Sequence, residues 1–124
     1  MEELATIFLQ SRTQAHAFHL KVTGPGSYAM HTALGGYYDE IGDLIDGIVE
    51  AYQGKNGLID IKKTNGIIEN DATKETIIEY FDKLIKFLEL KRGADELSDS
   101  WIQNELDNIA KLLYSTKYKL TYLS

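Results

Sequence analysis

Helical periodicity along four segments, with almost no proline to interrupt it, is the feature that most constrains this fold. The 124-residue chain contains a single proline, Pro25. Apolar residues recur at steps of three and four, which is the spacing of an amphipathic helix. The segments are 1–22, 28–53, 72–91 and a last one that begins near Ser98 or Ser100. We therefore predict an all-α protein with four helices.

Turn residues separate these segments. Gly24-Pro25-Gly26 ends the first segment, and Ser27 is a candidate N-cap for the second. Gly93 follows two basic residues and is placed to end the third segment as a C-cap. The tail 114–124 either frays or packs against a neighbour. Residues 55–70 hold the pairs Asn56-Gly57 and Asn65-Gly66, which fit a short hairpin and an ordered connector equally well.

The only long connection predicted lies between the second and third helices. This arrangement predicts a four-helix bundle with one crossover, in a single domain that spans residues 1–124. An up-and-down bundle stays open as the alternative, because the path of the connector is not encoded in the pattern.

Composition excludes several classes of function. The chain has no cysteine, which rules out disulfides and thiolate metal sites and fits a reducing cytoplasm. Its net charge of −6 argues against nucleic acid as a partner, since nucleic-acid-binding proteins cluster basic residues on one face. The sequence shows neither signal-peptide regions nor an apolar run of about 20 residues, so we expect a cytoplasmic protein without a membrane span.

The second helix also carries a polar stripe at steps of three and four residues. Its members are His31, Gly35, Asp39, Gly42, Asp46 and Glu50. His31 and Asp46 are separated by roughly 22 Å along a helix that rises ~1.5 Å per residue, too far to share a metal. An antiparallel second copy, related by a twofold axis near residues 40–41, would place His31 opposite Asp46 and Glu50 of its partner. We therefore expect a homo-oligomer, either a dimer or a larger assembly of dimers.

Glycines in the second helix support close packing. Each glycine weakens a helix by roughly 1 kcal/mol relative to alanine, yet the segment keeps Gly35, Gly36, Gly42 and Gly47. We expect Gly35 and Gly42 to let the two backbones approach along the stripe. The alternative is that the helix is kinked or broken there.

His19, at the end of the first helix, supplies a second imidazole from the same subunit as His31. Imidazole and carboxylate together suit a borderline divalent metal, with iron the usual choice. Alone, His19 would be expected to cap or pack, and Asp46 and Glu50 would be expected on a solvated face. His16 is predicted at the surface or an interface, and Tyr37 and Tyr38 in the core or an interface.

The spacing of His19, His31, Asp46 and Glu50, with Gly24 between the histidines, resembles the mini-ferritins, the Dps family of iron-oxidising cage proteins. The resemblance covers residues 13–54. It implies a ferritin-like bundle, iron or another divalent metal as ligand, and oxidation of Fe(II) by peroxide or oxygen. In the family the ligands lie at a dimer interface, and Glu50 would be placed to bridge two irons.

Three departures from the family pattern matter. Gly35 stands where the family has an aspartate ligand, and Asp39, one turn further on, is the candidate substitute. Leu20 stands in place of a tryptophan, and no lysine-rich tail is present, so DNA binding is not implied. The segment 38–54 looks more similar to small ferritin-like proteins of tailed phages, for which the location would be the host cytoplasm. The rival hypothesis is a non-catalytic, phage-encoded binding or structural protein that keeps the fold.

Overall fold

Four long helices make up the computed structural model, which describes residues 1–62 and 68–124. The helices are α1 (Glu2–Lys21), α2 (Ser27–Asn56), α3 (Lys74–Lys91) and α4 (Ser100–Tyr122), with a short 3₁₀ turn at Asp95–Leu97. No strand occurs within these two stretches. The predicted all-α class is confirmed. The predicted tail after residue 114 is helical as far as Tyr122, and the turn at 95–97 was not predicted.

The helix ends differ from the sequence prediction in their caps. Ser27 is the first residue of α2 rather than its cap, because Gly26 (φ 79°) takes the N-cap position in the left-handed region. Gly57 (φ 91°) follows α2, so the Asn56-Gly57 pair ends a helix instead of opening a hairpin. Arg92, in helical conformation, is the C-cap of α3 in place of Gly93. Thr73 caps the start of α3 by accepting a hydrogen bond from the amide of Thr76.

One apolar core joins all four helices. Among its fully buried side chains are Phe8 and Phe18 of α1, Tyr37 of α2, Phe81 of α3 and Leu106 of α4. α2 packs against α1 and α4, and α3 packs against α4 and more sparsely against α1. This packing is that of a four-helix bundle. α2 is continuous through all its glycines, so the alternative of a broken helix was wrong.

The connector between α2 and α3 is held on α1 by side chains. The amide of Lys62 donates to Thr6 Oγ1 at 2.9 Å. Further along, the amide of Glu69 donates to Gln14 Oε1 at 2.8 Å, and Gln14 Nε2 donates to the Glu69 carbonyl at 2.9 Å. Described connector residues therefore follow α1 as an ordered, non-helical segment. The predicted turn at Asn65-Gly66 lies outside the described residues.

Among the described residues, none of the helices combines the length and the apolarity that a bilayer crossing requires.

Candidate metal centre

The end of α1 and the start of α2 bring His19 and His31 into direct contact. Their imidazole rings are stacked, with centroids 3.6 Å apart and planes inclined by 22°. His19 Nδ1 donates to the main-chain carbonyl of His31 at 2.8 Å, and His31 Nδ1 donates to the carbonyl of His19 at 2.9 Å. We call this reciprocal pair the histidine clasp. The two histidines thus lie close together within one chain, as predicted.

The histidine clasp determines which nitrogen carries a proton. A carbonyl oxygen only accepts hydrogen bonds, so Nδ1 must be the donor in both rings. In the neutral imidazole the lone pair then lies on Nε2, and neither Nε2 has a hydrogen-bond partner within the part of the chain that the structure describes. Metal-binding histidines characteristically donate their other ring nitrogen in this way, which fixes the ring and raises its basicity.

Two further aromatic rings extend the histidine clasp along α1 and α2. His16 stacks on Tyr38 with centroids 4.5 Å apart, and Tyr38 meets the ring of His19 edge-on at 5.3 Å. His16 is exposed, as predicted. Tyr38 is half-buried and packs against the core. Neither ring was predicted to lie beside His19, although the three-residue spacing of His16 and His19 puts both on one face of α1.

The predicted carboxylate ligands lie further along the same side of α2. Asp39, Asp46 and Glu50 are all exposed. Asp46 lies fifteen positions after His31 on a continuous helix, so the structure brings together the two histidines of the predicted set and leaves the carboxylates apart from them. Across residues 1–62 and 68–124, no three His, Asp or Glu side chains of one chain are grouped to hold a metal ion.

Gly35 and Gly42 make room for side chains of α1 in the same chain. A Cβ placed on Gly35 would lie 3.5 Å from the His19 ring, and one placed on Gly42 would lie 3.2 Å from Nε of Arg12. The sequence pattern predicted that a second copy of α2 would use this space, whereas side chains of α1 lie against it. The correction has a simple cause, since the absence of a side chain does not reveal which neighbour uses the space. By contrast, Gly36 and Gly47 have no atoms close to the corresponding position.

Tyr37, which was predicted in the core or at an interface, lies in the core. Its hydroxyl lies 2.6 Å from Ser11 Oγ, which in turn donates to the Phe8 carbonyl at 2.7 Å. Burial raises the pKa of Tyr37 well above its usual range, and the hydrogen bond to Ser11 opposes that rise only in part. Tyr37 therefore stays neutral and fixes α2 on α1 beneath the polar stripe.

Comparison with known proteins gives one relationship. A sequence model of a family of unknown function, DUF5856, matches residues 19–120. That range includes His19, His31, Asp39, Asp46 and Glu50. No curated protein and no solved structure matches the chain.

Proposed function

Because the chain belongs to DUF5856, a family of unknown function, we propose from its own geometry that it is a ferritin-like metal-binding protein. His19 and His31 of one subunit bind a divalent metal, with iron as the substrate, together with Asp46 and Glu50 of a second subunit. The bound Fe(II) is oxidised by peroxide or oxygen. The resemblance to the Dps family suggested this set of ligands.

The histidine clasp is the observation that carries the proposal. Two imidazoles from different helices are fixed within stacking distance, with 3.6 Å between their centroids. Both rings present Nε2 as the remaining ligand atom. A pair that is already oriented loses little side-chain entropy on binding. Two imidazoles fill half of a four-coordinate site, and carboxylates must supply the rest.

A twofold axis near residues 40–41 supplies those carboxylates in the correct register. If the axis passes between residues 40 and 41 of each α2 helix, residue 40 of one helix lies opposite residue 41 of the other. All positions whose numbers add up to 81 are then paired in the same way. His31 then lies opposite Glu50 of the second copy. Gly35, which is covered by the His19 ring, lies opposite Asp46 of the second copy. The same axis produces the site twice in each dimer.

Contacts of the connector support a ferritin-like path for the chain. It binds Thr6 first and Gln14 later, so it passes along α1 from its start toward its end. At the end of α3, Lys91 pairs with Glu3 at the start of α1, with 2.6 Å between Nζ and Oε2. α3 therefore runs antiparallel to α1, in the same direction as α2. A long crossover between two parallel helices accounts for these contacts.

The proposed chemistry is the oxidation of iron at a site with open positions. Each Fe(II) loses one electron, and one hydrogen peroxide gains two electrons and two protons to form two waters, so a site that holds one metal oxidises two Fe(II) ions in succession for each peroxide. The protein supplies fixed ligands and leaves coordination positions free for the oxidant. Gly35 withholds one carboxylate, so we propose a single-metal site rather than a di-iron centre.

Metal titration tests the proposal. We expect anaerobic calorimetry with Zn(II) or Fe(II) to show one site per chain, and His31→Ala and Glu50→Ala each to abolish it. His16→Ala is the control and should bind nearly as wild type does, because His16 is not among the four ligands. Dissociation constants above about 100 μM, equivalent to a free energy weaker than roughly −5.5 kcal/mol, would overturn the proposal.

Mixed dimers provide a sharper version of this experiment. A dimer with His31→Ala in one subunit and Glu50→Ala in the other has both changes in the same site, so the second site is intact. We expect half of the wild-type stoichiometry, whereas each variant alone gives none. If instead the site lay within one subunit and did not include Glu50, the Glu50→Ala variant alone would still bind metal at His31.

A second candidate, a non-catalytic binding or structural protein, is favoured by one observation. The carbonyl of His19 lies in the last turn of α1, where carbonyls lack partners within the helix, and His31 donates to it at 2.9 Å. The histidine clasp therefore also stabilises the end of α1. Under this alternative, His31→Ala lowers stability in a protein that binds no metal.

A further inference from the structure

We propose that the groove between α2 and α4 binds a small organic anion, a carboxylate with an apolar body. The carboxylate pairs with Lys119, and the body lies on the apolar floor of the groove. This inference depends neither on the metal site nor on a second subunit, because the groove lies on a different side of α2 from the polar stripe.

The shape and lining of the groove are the first observation. Its volume is about 420 Å³, within the range of roughly 300–1,000 Å³ that is typical of small-molecule sites. Buried side chains form the floor, namely Ala33 and Tyr37 of α2 and Leu112 of α4. Exposed polar side chains line the walls: Glu40, Asn108, Lys111, Ser115 and Lys119. An apolar floor with a few polar groups around it is the usual form of a ligand site.

A glycine widens the groove on the side of α2. Gly36 lines it, and no atom lies within 4 Å of the position that a Cβ on Gly36 would take. Gly35 and Gly42 differ, since side chains of α1 lie against them. Glycine weakens a helix relative to alanine, and within the described part of the chain no packing contact requires it at position 36. The space above Gly36 is therefore available to a ligand.

Thr116 directs a buried polar group at the groove. The residue is only 2% exposed and lines the groove. Its hydroxyl makes no hydrogen bond among the described residues, unlike that of Thr6, which donates to the Glu2 carbonyl. It is not enclosed in the way that the unpartnered Thr121 hydroxyl is, so its accessible part opens into the groove. A buried hydroxyl without a partner is costly, and an anionic ligand would accept its hydrogen bond.

The charges along the walls favour an anion. α2 and α4 are antiparallel, since Lys55 near the end of α2 pairs with Asp99 at the start of α4, with 2.6 Å between Nζ and Oδ2. Counted back along both helices from this pair, Glu40 is level with residues between Lys111 and Lys119 and is nearer to Lys111. Neither of these two lysines forms an ion pair within the described residues. Two cations and one carboxylate leave one positive charge, which one ligand carboxylate neutralises.

The position of the carboxylate follows from α4. Lys119, Ser115 and Thr116 lie within about one turn of the helix, so an ammonium and two hydroxyls line the same part of the groove. All three groups donate hydrogen bonds, and a carboxylate accepts several. Because Glu40 lies nearer to Lys111, Lys119 is the cation that is left for the ligand. The apolar body then extends over Gly36 toward Tyr37.

Octanoate is the probe, with acetate and octylamine for comparison. We expect calorimetry in EDTA to give a dissociation constant for octanoate below about 1 mM. Acetate lacks the apolar body and octylamine carries the opposite charge, so each should bind at least about tenfold more weakly. In amide spectra, octanoate should shift the signals of Gly36, Ser115 and Thr116 and leave that of Gly47 unchanged. Weaker binding of octanoate, equal binding of octylamine, or shifts confined to residues outside the groove would each overturn the proposal.

Matched variants test the position of the ligand. Gly36→Leu fills the groove and should abolish binding, whereas Gly47→Leu, at another open glycine of α2 that does not line the groove, should bind as wild type does. Lys119→Gln should raise the dissociation constant about three- to fivefold, and Lys86→Gln on α3 should not change it. Glu40→Gln should lower the constant, because it removes a like charge.

The outcomes of these variants separate a site in the groove from a general attraction of anions. Equal effects of the two lysine variants, or unchanged binding by Gly36→Leu, would overturn the proposal. If Gly36→Leu is unfolded by circular dichroism, the amide shifts of the wild type decide the position. All of these titrations are made without metal, so their failure leaves the metal site to be judged by zinc titration alone.

Discussion

His19 and His31 each donate a hydrogen bond from Nδ1 to the main-chain carbonyl of the other, so rotation of either ring breaks its own bond to the opposite helix. The contact joins the last turn of α1 to the first turns of α2. It determines both the tautomer of the rings and the geometry of the helix pair.

The first prediction concerns the tautomer. In the neutral state, both His19 and His31 should carry their proton on Nδ1, because each Nδ1 faces a carbonyl. Long-range ¹H–¹⁵N correlation spectra of the imidazole groups report this directly. His16, whose ring nitrogens have no hydrogen-bond partner among the described residues, serves as the internal reference. A proton found on Nε2 of either clasp residue would contradict the geometry.

Alanine at the glycines of α2 should stabilise the protein to different extents at different positions. Gly36→Ala and Gly47→Ala should stabilise the protein by about 0.5–1 kcal/mol each, because alanine favours helix and no atom lies in its way. Gly42→Ala should gain less, since its Cβ displaces Arg12. Urea denaturation compares the three variants, and an equal gain at all three would show that Arg12 does not occupy the space above Gly42.

Loss of the Gln14 amide should release the connector. Gln14→Leu removes both hydrogen bonds to Glu69, at a cost of about 1–2 kcal/mol for two bonds. Hydrogen exchange at the Glu69 amide should become much faster, while amides in the middle of α4 keep their protection. Gln10→Leu is the matched control, as Gln10 lies on the same helix and makes no such pair within the described residues. Unchanged exchange at Glu69 would contradict the assignment.

Alkaline pH should destabilise the protein through Tyr37 and Tyr80. Burial raises the pKa of both phenols in the folded state, whereas in the unfolded chain tyrosine ionises near pH 10. Their contribution is therefore complete below about pH 10 and is lost as the pH rises above it. Tyr37→Phe should cost about 1 kcal/mol at neutral pH, for the bond to Ser11, and should weaken the alkaline loss. Urea denaturation at pH 7 and pH 11 checks both effects.

Restoring a carboxylate at position 35, where the family pattern has an aspartate, tests the proposed ligand set by adding a ligand. Gly35→Asp places a Cβ in ordinary contact with the His19 ring, 3.5 Å away, so the helix accepts it. We expect tighter zinc binding and faster oxidation of Fe(II), measured by calorimetry and oxygen or peroxide consumption. Gly36→Asp adds the same charge one residue away on a different side of α2 and should not tighten binding. Equal effects of the two variants would indicate a general electrostatic attraction.

The sequence predicted the helices because the pattern that defines them is local. Apolar steps of three and four residues gave four segments whose structure matches within a few residues, including the continuous face from Leu34 to Ile48. Caps were less predictable, since Ser27 is a common N-cap and only the left-handed backbone of Gly26 displaced it. The contact between His19 and His31 also followed from local information, because one tight turn separates their helices.

Neighbours across the bundle could not be predicted from the pattern. Nothing in the sequence indicates that Arg12 and His19 use the space at Gly42 and Gly35, or that the side chain of Gln14 holds Glu69. Such contacts depend on the rotation of α1 against its neighbours, which the packing of the whole core determines. The carboxylate ligands remain a prediction for the same reason, as their partners lie on another chain.

The short separation between His19 and His31 also has a kinetic consequence. Closing a loop of twelve residues costs less chain entropy than bringing α3 and α4 against α1, since the cost rises with the length of the loop. Local contacts of this kind speed folding. We therefore expect the α1–α2 hairpin to form early and to serve as the template on which the connector, and after it the last two helices, assemble.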